Sequence, residues 1–200
     1  MLRRVLSRTP LFALCAAALV SGCGKADKAA DSAKKADSIA AAAPAPAPAP
    51  VAPTLTDANI VAILDGADAA DSSAGSVAAA KGTAADVKSF AKDMMRDHHA
   101  QRKACQDLAT KLNVTPEMPV SDNSAAAAQA WQDSLNAMPK GAAFDKAYID
   151  HEVTYHETLL NTAQTALAAA QNVELKDLIT KATPTIQAHL DHAKSIQSKP

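Results

Sequence analysis

The stretch DVKSFAKDMMRDHHAQRKACQDLATKL, residues Asp86 to Leu112, decides the fold. Its apolar residues recur at intervals of three, four or sums of these, at Val87, Ala91, Met94, Cys105, Leu108 and Leu112. This is the period of one face of an amphipathic helix. His98 lies on the same face, four residues after Met94. A polar side chain on a buried face costs free energy unless it has a partner, so His98 is a candidate functional residue.

The same pattern predicts three more long helices, over about residues 57–80, 144–170 and 174–196. Each carries one ligand-type residue in the middle of its apolar face, and these residues are Asp71, His156 and His189. Pro184 should kink the last helix or split it into two pieces, because proline cannot donate a backbone hydrogen bond. Packed side by side, the four helices would bring Asp71, His98, His156 and His189 to a similar depth.

The long connection over residues 114–143 separates the second and third long helices. It contains a predicted short helix over residues 124–135, whose Trp131 and Leu135 would cover one end of the core. No run of β-branched residues predicts a strand. The fold class is therefore all-α, a four-helix bundle with one long crossover between helices 2 and 3.

Residues 1–22 have the pattern of a bacterial lipoprotein signal peptide. A positively charged start precedes a short apolar run, and Leu19-Val20-Ser21-Gly22-Cys23 resembles the motif cut before a cysteine that is then lipidated. Several acyl chains anchor a protein stably to a membrane, whereas a single chain gives only marginal binding. An ordinary cleaved signal with an incidental Cys23 is the alternative. Gly24 occupies the position where aspartate retains some lipoproteins in the inner membrane, which favours the outer membrane of the cell envelope.

Residues 23–53 form an Ala- and Pro-rich tether, and residues 54–198 form one domain. The repeat PAPAPAPVAP favours polyproline II, and ten such residues would hold the domain on the order of 30 Å from the membrane, facing the periplasm. Once Cys15 leaves with the signal and Cys23 is lipidated, Cys105 alone remains, so no internal disulfide is expected. The net charge of −1 and the scarcity of aromatic residues exclude a nucleic-acid footprint.

Several motifs resemble the bacterial family called Domain of Unknown Function 4142. They are Val87 with Phe90-Ala91, Met94 and Asp97-His98; Phe144-Asp145 with Tyr148 and His156; and Pro184 with His189-Leu190. The resemblance implies an exported domain with a ferritin-like helical fold. The family usually has glutamate at position 71 and an apolar residue at position 152, so Asp71 and Glu152 are departures. The resemblance implies no biochemical activity, because the family has none established.

The functional hypothesis from these residues is a metal site inside the bundle. Its ligands would be Asp71, His98, His156 and His189, with Glu152, Asp145 and Tyr148 as possible second-shell residues. Three imidazoles and one carboxylate suit zinc, iron or copper. A di-iron centre of the ferritin type needs glutamate three residues before a ligand histidine, and those positions hold Met95, Val153 and Ile186. The sequence therefore predicts one metal ion.

Two alternatives to a metal site stay open. The buried histidines could share protons with Asp71, Tyr148 and Tyr155 in a purely structural network. The domain would then be a non-catalytic module for envelope stress or for protein interaction, with unknown partners. An enzyme is not favoured, because the sequence has no nucleophile elbow, phosphate loop or zincin motif. The remaining histidines, His99, His151 and His192, fall outside the apolar faces and are predicted to be solvated. Burial should keep the site histidines neutral and make the fold acid-sensitive.

Overall fold

The computed structural model describes residues 55–199, and within this range it contains five α-helices and no strand. The predicted all-α class is confirmed. The predicted signal peptide and tether, residues 1–53, lie outside the described residues. No helix between residues 55 and 199 has the length and apolarity needed to cross a membrane. The helices are α1 (Asp57–Lys81), α2 (Ala85–Leu112), α3 (Ser124–Ala137), α4 (Ala142–Ala169) and α5 (Val173–Gln197).

Local sequence signals explain where the helices begin and end. Thr56 caps α1 in a reciprocal capping box, because its hydroxyl accepts the backbone N–H of Asn59 while the Asn59 side chain accepts the N–H of Thr56. Asn113 ends α2 in the left-handed conformation, with a φ of 54°. The side chain of Asn172 caps α5 by accepting the backbone N–H groups of Glu174 and Leu175.

Pro184 lies inside α5, which continues from Val173 to Gln197 without interruption. Of the two predicted outcomes, splitting of the helix is therefore wrong. Proline lacks the N–H that would bond the carbonyl four residues earlier, at Thr180, so the helix passes this point with one backbone hydrogen bond fewer. Packing of the apolar residues on both sides, Ile179 and Ile186, keeps the helix continuous.

Gly75 determines how closely α1 approaches α2. A Cβ atom at this position would lie 2.8 Å from the backbone oxygen of Ala91 and 3.2 Å from the Cβ of Met94. Only glycine leaves room for this contact. Gly75 is one turn after Asp71, and Met94 is one turn before His98. The close approach at Gly75 therefore carries Asp71 towards His98.

The apolar core is divided into two clusters. One contains Phe90, Phe144 and Tyr148, together with Leu135 from α3, and the other contains Ile60, Leu175 and Ile179. Buried polar residues lie between the two clusters on each of α1, α2, α4 and α5, and they include Asp71, His98, His156 and His189, one from each helix. We call these four residues the polar layer. Because an unpaired polar group in a core is costly, the polar layer needs a physical explanation beyond packing.

Candidate metal centre

His98 is held by α2 in the middle of the polar layer and is 1% exposed. Its Nδ1 lies 2.9 Å from Oδ1 of Asp68, and in the neutral ring this contact places the proton on Nδ1, which donates a hydrogen bond to the carboxylate. Its Nε2 is then a free lone pair, 3.1 Å from Oδ2 of Asp71 without the alignment of a hydrogen bond. Burial alone would lower the pKa of His98, but the Asp71 and Asp68 carboxylates together raise it.

His156, on α4, is fully buried. Its Nδ1 donates to the backbone carbonyl of Glu152, one turn earlier, at 2.9 Å. Its Nε2 has no hydrogen-bond partner among residues 55–199 and lies 3.9 Å from Oδ2 of Asp71. Burial, and then the nearby imidazoles of His98 and His189, lower the pKa of His156 to about 3. This ring is therefore neutral at physiological pH, as a metal ligand must be.

His189 completes the group from α5. Its Nε2 lies 3.0 Å from Oδ2 of Asp97 on α2, and its Nδ1 has no partner in the part of the chain that the structure describes. Burial is the main cause that lowers the pKa of His189. Asp97 is itself held by the guanidinium of Arg96, at 2.8 Å. The side chain of His189 is 8% exposed, so it is the outermost of the three imidazoles.

The three imidazole rings lie next to one another. Their ring centroids are 5.7 Å apart for His98 and His156, 5.2 Å for His98 and His189, and 5.4 Å for His156 and His189. One nitrogen from each ring lies within 4.8 Å of the others. Each ring uses one nitrogen in a hydrogen bond to a carboxylate or a carbonyl and leaves the other nitrogen free. This is how histidines that bind metals are oriented by their surroundings, so these buried groups could hold a metal ion.

A second, oxygen-rich group adjoins the imidazoles. Asp71, Glu152 and His156 also place ligand atoms within 4.8 Å of one another. Glu152 is fully buried, and neither of its carboxyl oxygens has a hydrogen-bond partner within residues 55–199. Burial raises the pKa of Glu152 to about 8, a rise that the neighbouring Tyr148 hydroxyl and Asp71 carboxyl limit. Burial, and then repulsion from Glu152, also raise the pKa of Asp71 well above its usual range.

The structure brings together most of the residues named from the sequence. Asp71, His98, His156 and His189 form the polar layer, and Glu152 and Tyr148 lie beside it. Tyr148 is fully buried, and its hydroxyl has no hydrogen-bond partner among the described residues. Burial, together with the charges of Glu152 and Asp71, raises the pKa of Tyr148.

Asp145 has a different role from the one the sequence suggested. Its carboxylate accepts the backbone N–H groups of Thr83 and Ala84, at 2.9 and 2.8 Å, and the Thr83 hydroxyl. These groups lie at the start of α2, where Ala84 has no side chain able to cap the helix. A carboxylate at this end also compensates the helix dipole. Asp145 therefore joins α4 to the beginning of α2 and does not contribute to the candidate metal centre.

Sequence reasoning missed the role of Asp68. This residue precedes Asp71 by three positions, so both side chains lie on the same side of α1. That spacing was the available signal, but it could not show that the Asp68 carboxylate contacts Nδ1 of His98. Burial raises the pKa of Asp68, while its hydrogen bond to His98 opposes that rise.

The remaining histidines differ in their surroundings. His99 and His192 are exposed, as the sequence predicted. The prediction that His151 is solvated is wrong. It is half-buried and stacks between Trp131 and Tyr155, with ring centroids 3.9 and 5.5 Å away. Burial lowers the pKa of His151 to about 4.

Comparison with known proteins gives one family and one structural neighbour. Residues 40–196 match the model of the family described as "Domain of unknown function (DUF4142)". No curated protein matches the sequence significantly. A solved structure titled as a DUF305 fragment from Deinococcus radiodurans is similar in fold, with a TM-score of 0.61 and 15% sequence identity over 72% of this chain and 98% of that one. Because the family match covers most of the chain, the protein belongs to the DUF4142 family.

Proposed function

We propose that this domain is a ferritin-like helical bundle that binds one first-row transition-metal ion, such as zinc, iron or copper. The ligands are Nε2 of His98, Nε2 of His156, Nδ1 of His189 and a carboxylate oxygen of Asp71. One observation carries the proposal: each of the three buried rings has one nitrogen without a partner among the described residues, and the three rings offer ligand atoms within 4.8 Å of one another. Leaving several buried lone pairs without partners is costly, and a cation bound among them would remove that cost.

The spacing of these atoms supports a metal of this kind. Tetrahedral ligands at about 2.0 Å from zinc lie roughly 3.3 Å from one another. The three nitrogens lie within 4.8 Å of one another, so small rotations of the rings suffice to close around an ion. The Asp68 and Asp97 carboxylates, each hydrogen-bonded to the other nitrogen of a ligand ring, would then hold His98 and His189 in orientation. Three imidazoles and one carboxylate leave a bound ion with one positive charge, which Glu152 can offset by losing its proton.

We propose one ion and not two. The oxygen-rich group of Asp71, Glu152 and His156 shares His156 with the group of three imidazoles. The free nitrogen of His156 has a single lone pair and cannot bind two ions at once. The other nitrogen of the same ring donates to the Glu152 carbonyl. Glu152 and Tyr148 are therefore assigned to the surroundings of the ion, and no catalytic activity is proposed.

The cellular setting of this function is proposed from the sequence. A lipid anchor at Cys23 and the tether over residues 24–53 would hold the domain in the periplasm at a bacterial envelope membrane, with the outer membrane favoured. Incorporation of labelled palmitate that is lost in Cys23→Ser, together with separation of the inner and outer membranes, tests this setting. Label retained by Cys23→Ser would contradict the anchor.

Metal analysis of the protein, purified without chelator and without a polyhistidine tag, tests the metal site. We expect one equivalent of bound metal in the wild type and in His99→Ala, because His99 is exposed and adjacent in sequence to the ligand. We expect the metal to be lost in His98→Ala, with circular dichroism used to verify that the variant is folded. Wild-type protein with normal helicity that takes up no zinc, iron or copper would instead support the structural network.

A further inference from the structure

A polar pocket on the surface reaches the candidate metal centre between α2 and α5. It has a volume of about 320 Å³, and its walls include Asp93, Arg96 and Asp97 from α2 and His189 and His192 from α5. We call it the entry pocket. Among its walls, His189 is the one proposed ligand, and its unpartnered Nδ1 belongs to a side chain that is only 8% exposed. The pocket therefore connects solvent with the outermost ligand of the site.

We propose that the metal ion enters through the entry pocket, where Asp93 and Asp97 capture the cation and Arg96 acts as a gate. This inference rests on the proposed metal-binding function and assigns its route of uptake. Carboxylate oxygens attract a hydrated divalent cation, and Asp97 is directly hydrogen-bonded to His189. An ion held by Asp97 is thus adjacent to His189, one of the three proposed histidine ligands.

Arg96 bridges the two carboxylates that are proposed to capture the cation. Its guanidinium donates to Oδ1 of Asp93 at 2.7 Å and to Oδ1 of Asp97 at 2.8 Å. Both partners lie on the same helix as Arg96, so the side chain can swing away without disturbing the packing of α2 against α5. The side chain of Arg96 is 66% exposed, and exposed ion pairs of this kind are weak. A divalent cation can therefore displace it.

A second opening, lined by residues of α1, α2, α4 and α5, is a poor route for a cation. This apolar cleft has a volume of about 340 Å³, and its walls include Leu64, Ala104, Leu159 and Ile186. It also reaches His98 and the Asp68 carboxylate that is already hydrogen-bonded to His98. The rest of its lining is mainly apolar and includes the cationic Lys181, so a hydrated divalent ion would lose water there and meet a like charge. The distribution of carboxylates thus favours the entry pocket over the cleft.

Stopped-flow uptake of cobalt(II) at low ionic strength tests the route, since the visible absorption of cobalt(II) reports its entry into a nitrogen-rich site. Removing one unit charge about 6 Å from a divalent ion in water changes the rate constant for uptake roughly tenfold. We expect Arg96→Ala to accelerate uptake by this factor and Asp93→Asn to slow it similarly. Arg102→Ala and Asp65→Asn, from an ion pair of 3.1 Å that lies outside the pocket, should change uptake less than twofold.

Three results would overturn the assignment. Equal rates in Arg96→Ala and Arg102→Ala would refute the entry pocket while leaving the metal site intact. Slower uptake in Ala104→Phe, which fills the apolar cleft at an exposed position, would assign the route to the cleft instead. Wild-type protein that binds no cobalt(II) at equilibrium would refute the proposed function and the route together.

Discussion

Glu152 should make the metal-free protein less stable as the pH rises. Its side chain is fully buried, and burial raises its pKa to about 8, compared with 4.5 for the exposed group. Since the folded pKa exceeds the unfolded value, the folded state binds the proton more tightly. The resulting stabilisation is present in full below pH 4.5 and is lost as the pH rises through 8.

The size of this effect follows from the two pKa values. Between pH 7 and pH 9 the unfolded state has already released the proton, whereas Glu152 in the folded state changes from mostly protonated to mostly ionised. Integrating this difference over the two pH units gives a loss of about 1.4 kcal/mol in the free energy of unfolding. Glu152→Gln has nearly the same shape and cannot ionise, so this loss should be absent from the variant.

Urea unfolding of the metal-free protein at pH 7, 8 and 9, followed by circular dichroism, measures the difference. Glu157→Gln is the matched control, because Glu157 lies on the same helix but is exposed and pairs with Lys194 at 2.7 Å. We expect the control to follow the wild type and Glu152→Gln to lose about 1.4 kcal/mol less than either between pH 7 and pH 9. The same loss in all three proteins would refute the assignment of a buried, protonated Glu152.

Three further predictions concern Asp68, the contact between α1 and α2 at Gly75, and Cys105. Asp68→Asn should lower the affinity for zinc 10- to 100-fold, measured by calorimetry, because the carboxylate that orients His98 loses its charge. Asp65→Asn, one turn earlier on the same helix, should leave the affinity unchanged. Equal effects of the two substitutions would argue against orientation of His98 by Asp68. Gly75→Val should lower the free energy of unfolding, measured by urea denaturation, by about 1–3 kcal/mol, because even a Cβ atom would lie 2.8 Å from the Ala91 oxygen. Unchanged stability would contradict that contact. Cys105 is 1% exposed, and burial raises its pKa to about 12. Peptide mapping should therefore find this thiol unalkylated at pH 8 until urea unfolds the domain. Rapid alkylation of the native protein would contradict this prediction.

The helices of this domain were predictable because helix periodicity is local. Recurrence of apolar residues every three or four positions identified each long helix to within about two residues of its observed ends. The same periodicity placed one ligand-type residue on each apolar face. Turns and caps depend on a few neighbouring residues, so no tertiary information was needed.

The expectation of acid sensitivity shows where local reasoning fails. Two of the three site histidines, His156 and His189, have lowered pKa values and would lose stabilisation as the pH falls below 6.5. The pKa of His98 is raised instead, and Glu152, already protonated in the folded state, adds stabilisation as the pH falls towards 4.5. The effects oppose one another, because each pKa depends on charges that other helices bring close.

The sequence by itself determined five helices, the face that each long helix buries and the four polar residues on those faces. Only the tertiary structure decided that Asp68 orients His98, that Asp145 joins α4 to the segment before α2 and that His151 stacks against Trp131. The physical reason is that periodicity fixes the direction of a side chain about its own helix axis. The distance between side chains on different helices depends on how closely those helices approach, and here a glycine at their contact sets that distance.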